Sequence, residues 1–215
     1  MPLEPITGEQ VRLGIAASPD NAAGLDGVQK GDLAILSPYA CEWLAALLNS
    51  IEAGAEWPDL CTQGRLAFLS KGGDAASPLD FRKLSILSKV YRLHMALRLK
   101  DLAPWIRSWA LPCLFAGTCD PAGAEDAWYE TALLFELSKL EGTPFSAGGA
   151  DIFKCFDQIV RVLLLDLLAA GGFPPRLARA YKQFHLKLHY RNTVAGGLGT
   201  FTGIFVASPK DVNLA

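Results

Sequence analysis

The stretch GGADIFKCFDQIV, Gly148 to Val160, sets two carboxylates, Asp151 and Asp157, in an otherwise largely apolar segment. PFSAGGADIFKC leads to Asp151 through small and apolar residues, and a helix is expected from about Gln158 to Ala170. Asp151 is therefore expected at the end of a strand, ahead of a strand-to-helix junction, where α/β proteins place chemistry. A carboxylate held there suits Mg²⁺, because a hard cation takes rigidly placed oxygen ligands and a nucleotide's phosphates can complete its shell. The same position also suits a residue that only opens a helix. Asp157, just before that helix, reads as a cap for free N–H groups, and Cys155 as a small packing residue.

Other residues offer rival chemistry. His185 and His189 have the spacing of paired zinc ligands on a helix, but on an expected strand they stand roughly 13 Å apart, too far for one ion. Gly197, Gly199 and Gly203 imitate a dinucleotide-binding loop, with the third glycine one residue late and no helix after it. The five cysteines form no C-x-x-C pair, so neither a zinc knuckle nor a disulfide framework is indicated. Two basic segments carry no acid. Residues 81 to 100 hold Arg82, Lys83, Lys89, Arg92, Arg98 and Lys100, and residues 167 to 210 hold Arg176, Arg179, Lys182, Lys187, Arg191 and Lys210. Such a polarised surface faces phosphate or is the solvated side of amphipathic elements.

The elements that must position these residues follow from periodicity. Ser37-Pro38 opens a helix whose Trp43, Leu44, Leu47, Leu48 and Ile51 recur at helical spacing as far as Gly54. A second helix is expected over Ser85 to Leu102, with Ile86, Val90, Leu93 and Leu97 apolar and Ser85, Lys89, Arg92 and Lys100 on a basic face. A third runs from about Ala124 to Leu140 and ends at Gly142. From Phe184 to Tyr190 the period becomes two, which predicts a strand with His185, Lys187, His189 and Arg191 on one basic face. The Gly/Pro/Ser-rich stretches 71 to 78 and 194 to 203 read as loops, and no internal repeat is present.

Composition bounds the function. With 215 residues, 51% hydrophobic and 20% charged, the chain can bury a real core. A net charge of −2 argues against a simple polyanion binder, so charge distribution carries the argument. No apolar run reaches the roughly 18 residues of a membrane span, and the start lacks a signal peptide's basic and apolar regions. An intracellular, reducing location is expected.

DIFKCFD resembles the first palm motif of reverse transcriptases of the non-LTR retrotransposon and group II intron type: Asp, three variable positions, a small residue, Phe and Asp. The resemblance continues in order along the chain. NAAGLDGVQKGDL (Asn21 to Leu33) is similar to the segment ahead of the fingers, and GRLAFLSKGG (Gly64 to Gly73) to the strand ending in Lys-x-Gly. PLDFRKLSILSKVYRL (Pro78 to Leu93) resembles P-x-D-x-R-P-I-S-L-L-S-x-x-Y-R-L, and AGAEDAWYETALLFE (Ala122 to Glu136) the helix that follows. It implies an α+β chain: helical fingers and an incomplete palm of a right-hand polymerase, with the thumb absent. The implied parts are a lead-in at 1–16, fingers at 17–142, a partial palm at 143–204 and a divergent tail at 205–215. Implied partners are an RNA template, a DNA primer and deoxynucleoside triphosphates, with Mg²⁺ as cofactor, no membrane, and the nucleus among the settings.

By the same resemblance Asp151 is the metal-holding catalytic aspartate and the Ile152 carbonyl a further ligand. Phe156 is the aromatic gate beneath the sugar, Lys71 and Arg82 contact the incoming triphosphate, and Lys89, Arg92, Lys100, Lys187 and Arg191 track the template-primer backbone. Four departures limit it. Lys83 follows Arg82 where the family has Pro, GTCDPAGAED replaces the family's Gly-Arg-Ser loop, TGIFVASPKDVNLA leaves the G-[IV]-x-Q-G loop after Gly203-Ile204, and no Asp-Asp pair occurs anywhere. Two divalent cations need several anionic ligands. The expectation is a reverse-transcriptase-like fragment inactive by itself, with a non-catalytic RNA or RNA/DNA-binding remnant as the alternative.

Overall fold

Helix starts are set by local side chains. Thr7 and Gln10 form a capping box, in which Gln10 N donates to Thr7 Oγ1 (3.2 Å) and Thr7 N to Gln10 Oε1 (2.9 Å), and α1 runs Gly8–Ala17 from it. Ser37 Oγ accepts from Ala40 N at the start of α3, Pro38–Ala53, which ends at Gly54 with φ 124° as its sequence predicts. The computed structural model describes residues 2–72, 77, 80–115, 123–152, 158–194 and 197–203. Within them lie short α2 (Lys30–Ala34), a 3₁₀ turn (Asp59–Thr62), β1 (Gln63–Ser70), β2 (Phe81–Ile86), α4 (Lys89–Asp101), α5 (Ala103–Trp109), α6 (Ala124–Glu141), α7 (Arg161–Ala170), α8 (Pro175–Lys187), β3 (His189–Val194) and β4 (Gly197–Gly203). The α+β class expected from sequence is what is observed.

The four strands form one mixed sheet in the order β2-β1-β3-β4. β1 pairs with β2 antiparallel and with β3 parallel, and β3 with β4 antiparallel. β1 and β3 lie close because Gly64, opposite Tyr190, has no side chain: a Cβ there would stand 2.5 Å from the Tyr190 ring.

The chain divides into two units, one of residues Met1–Arg98 with Leu165–Ala215 and one of Leu99–Leu164. In the first, α1, α3, α4 and α8 enclose a core of Val11, Ile15, Leu48, Ile51, Leu93, Leu97, Trp57, Tyr91 and Phe184. Tyr91 stacks on Phe184 with ring centroids 3.4 Å apart, and Trp57 Nε1 donates to Ala180 O (2.9 Å), so the indole is buried with its polar atom satisfied. One carboxylate is buried with them. Glu52 of α3 accepts from Arg98 Nε (2.5 Å) and Nη2 (2.7 Å), from His94 Nε2 (2.9 Å) and from Arg176 Nη2 (3.2 Å), while Arg98 Nη1 donates to Glu4 O (2.9 Å). Burial would raise the Glu52 carboxyl, but hydrogen bonds from His94 and Arg98 and the charge of the Arg98 guanidinium outweigh it and hold it down at about 2. In the second unit Leu102 and Ile106 are buried, Trp105 packs edge-on against Trp109, and α6 buries no residue.

Four sequence expectations are corrected. The strand over Phe184 to Tyr190 is instead the end of α8, followed by β3 from His189. Its alternation is real, but Leu177, Ala180, Phe184 and Leu188 recur at three- and four-residue steps and are the residues buried, whereas Leu186 points outward. The helix over Ser85 to Leu102 begins only at Lys89, because Ser85 and Ile86 belong to β2 and Ser88 Oγ accepts from Val90 N where the helix starts. The loop at 194 to 203 is mostly β4, which completes the ladder of β3. Finally, Asp151 is not at a strand end: residues 143 to 152 are neither helix nor strand and Asp151 is exposed. A strand exists through its partners, and the described strands pair among themselves. Cys155, Phe156 and Asp157 lie outside the described residues, as does the tail at 205–215.

Candidate nucleic-acid interface

The sheet brings basic side chains together that are far apart in sequence. QGRLAFLS, FRKLSI, HYRNTV and GLGTFTG hold Arg65, Arg82, Lys83, His189 and Arg191 and not one acid. Side chains alternate along each strand and register partners share a side. With Arg65 opposite both Arg191 and Ile86, Leu69 opposite Arg82, and Gln63 opposite His189, one side of the sheet carries Arg65, Arg82, His189 and Arg191. Tyr190, which packs against the core, marks the other side. Thr193 and Ala67 are opposed on the basic side, and so is Phe201, opposite Arg191, whose guanidinium lies 3.8 Å over the phenyl ring.

Like charges directly opposite on neighbouring strands repel. Arg65 and Arg191 are such a pair, and among the described residues neither meets a carboxylate. Nε of each, and Oγ1 of Thr193, is shut off from water without a hydrogen-bond partner. Buried polar atoms are normally paired, so among the described residues the face is left electrostatically incomplete.

The residues expected from sequence separate. Arg82 and Arg191 lie on the same, basic side of the sheet, on strands separated by β1. Lys71 follows β1, with its backbone N–H donating to Asp80 O (2.8 Å), and the period of two sets it on the side of Leu69 and Arg82. Lys89 and Arg92 are corrected: they are internal ties. Lys89 is buried and its ammonium donates to Pro19 O (2.7 Å) and Asn21 Oδ1 (3.2 Å), while Arg92 donates to Asn21 Oδ1 (2.7 Å) and Ala22 O (2.8 Å). Together they hold the 18–29 loop against α4, and burial lowers the affinity of both for their protons. Lys187 is drawn off by Glu56, with Nζ 2.5 Å from Oε2. Lys100 is exposed at the end of α4, in the other unit. His185 ends up on α8 beside Tyr181 and His189 on β3, with Nδ1 2.6 Å from Lys187 O.

No sequence motif marks Arg65, Thr193 or Phe201 as a contact residue. The alternation Arg65, Ala67, Leu69, Lys71 in GRLAFLSK was the available signal, but only register shows that Arg65 faces Arg191. Asp151 and Ile152 are exposed in the 143–152 segment, and among the described residues no group of three His, Cys, Asp or Glu side chains could hold a metal. No helix among the described residues is long and apolar enough to cross a membrane. No protein-family model matches the chain, and no curated protein matches it.

Proposed function

We propose that the chain is reverse-transcriptase-like and holds RNA or an RNA/DNA hybrid through the basic side of its sheet without polymerising by itself. The observation that carries the reading is the opposed pair Arg65 and Arg191 in a sheet without an acid, because a polyanion laid over that side relieves the repulsion between them. Arg82 and Lys71 extend the same side along the β1–β2 hairpin, in the positions where the resemblance sets contacts to phosphate. Fingers and a partial palm of a polymerase remain the proposed origin of these elements, and a polymerase's metal site would need carboxylates beyond Asp151.

Contacts from Arg65, Arg82 and Arg191 to a single strand should each add about 0.7 to the slope of log affinity against log salt, giving a slope of about −2. Fluorescence anisotropy with a labelled RNA over a salt series measures it. The double variant Arg65→Glu, Arg191→Glu should flatten the slope and weaken binding. A slope near zero in the unaltered chain, or one unmoved by both reversals, removes the reading.

A further inference from the structure

Arg65, Arg191 and Thr193 stand in a closed triangle on the sheet. Arg65 and Arg191 are register partners on adjacent strands, Thr193 follows Arg191 by two residues on the same side, and the residue opposite Thr193 is Ala67, whose methyl offers no polar partner. All three are half-buried, and each keeps a polar side-chain atom without a partner. The Phe201 ring beneath Arg191 holds one guanidinium plane in place and leaves its N–H edges unused.

We propose that this triangle is a site for one phosphate group, bound by the N–H forks of Arg65 and Arg191 and the hydroxyl of Thr193. Two guanidinium forks offer paired donors that match the oxygens of a tetrahedral dianion or diester, and a hydroxyl supplies a third direction. A phosphate between the arginines also removes their mutual repulsion, which a neutral ligand would not do. Half-buried side chains can turn by one torsion to expose the shielded Nε atoms, so binding gives three orphaned atoms a partner at once. The group can come from a nucleic-acid backbone or from a free phosphate. The site deepens the reading of the sheet as a polyanion face, and it is more demanding, since general attraction to charge needs neither a fork nor a hydroxyl.

The test follows the arginine Nε–H signals of the full chain by NMR during titration with inorganic phosphate and, separately, with a short single-stranded RNA. Phosphate should move the Arg65 and Arg191 signals saturably and ahead of other arginines. Arg65→Lys, which keeps the charge and loses the fork, should weaken phosphate binding by about tenfold. Thr193→Val, which keeps shape and loses the hydroxyl, should do the same by about tenfold. Saturation at these residues, with RNA displacing phosphate, supports the site with a backbone phosphate as its ligand. Saturation by phosphate in a chain that binds no RNA supports the site with free phosphate as ligand and removes the nucleic-acid reading. Salt-dependent RNA binding without saturation by phosphate, or unchanged by Arg65→Lys and Thr193→Val, overturns the site and leaves the nucleic-acid reading standing. A chain that responds to neither ligand overturns both.

Discussion

Glu52 shows how a single buried residue ties the helices of the larger unit together. Its carboxylate receives donors from two positions on α4 and one on α8, so truncation to Ala leaves the Arg98 guanidinium buried without its counter-charge. Breaking a buried pair in this way costs about 3–5 kcal/mol, and Glu52→Ala should lower the urea midpoint accordingly. The pH dependence has a definite sign. The folded carboxyl is held at about 2, below its ordinary 4.5, so its stabilising effect is complete above about pH 4.5. It is lost as pH falls from about 4.5 towards 2, because the unfolded chain takes up the proton first, and the loss reaches about 3 kcal/mol. Urea denaturation at a series of pH values should show that decline in the unaltered chain and a much shallower one in Glu52→Gln. Equal slopes in the two would exclude Glu52 as the source. The sequence shows only that His94 and Arg98 are one helical turn apart. That they meet Glu52 depends on how α3 and α4 pack, which no local pattern states.

At the scale of elements, local punctuation was legible and competition between periods was not. Ser37-Pro38 and Gly54 mark α3 in the sequence as they do in the structure, because a cap and a left-handed glycine act on their own neighbours. Phe184 to Tyr190 satisfies both a period of two and the end of a longer helical period, and the helix wins because Leu177, Ala180 and Phe184 enter the core together with Trp57 and Tyr91. Two substitutions separate these arrangements. A strand would point Phe184 and Leu186 to the same side, whereas the helix buries Phe184 fully and leaves Leu186 62% exposed. Phe184→Ala should therefore cost about 3–5 kcal/mol in urea denaturation, and Leu186→Ser no more than about 0.5 kcal/mol. Comparable losses at both positions would restore the strand. Asp151 failed as a strand-end residue for a related reason: small and apolar residues permit a strand, but only a neighbouring strand makes one.

For the whole molecule, the uneven spread of charge was visible in the sequence, but the surface it builds was not. Both acid-free segments contribute to the basic side of the sheet through Arg82 and Arg191, yet Lys89 and Arg92 are engaged in holding the 18–29 loop, Lys187 pairs with exposed Glu56, and Arg65 comes from outside both segments. Binding and catalysis are therefore expected to separate in this chain. Polymerisation needs two divalent cations held by several carboxylates, whereas polyanion binding on the sheet needs no metal. Asp151 belongs to the smaller unit, and the basic strands to the larger. The expected outcome is that the chain extends no primer on an RNA template with Mg²⁺ or Mn²⁺, and that Asp151→Asn leaves RNA affinity within about twofold and the salt slope unchanged. Arg65→Glu with Arg191→Glu should abolish most of the salt-dependent binding in the same assay. Primer extension that disappears in Asp151→Asn would make the chain an enzyme and overturn the separation. Loss of RNA binding in Asp151→Asn would do so as well, because it would tie the carboxylate to the same ligand as the arginines.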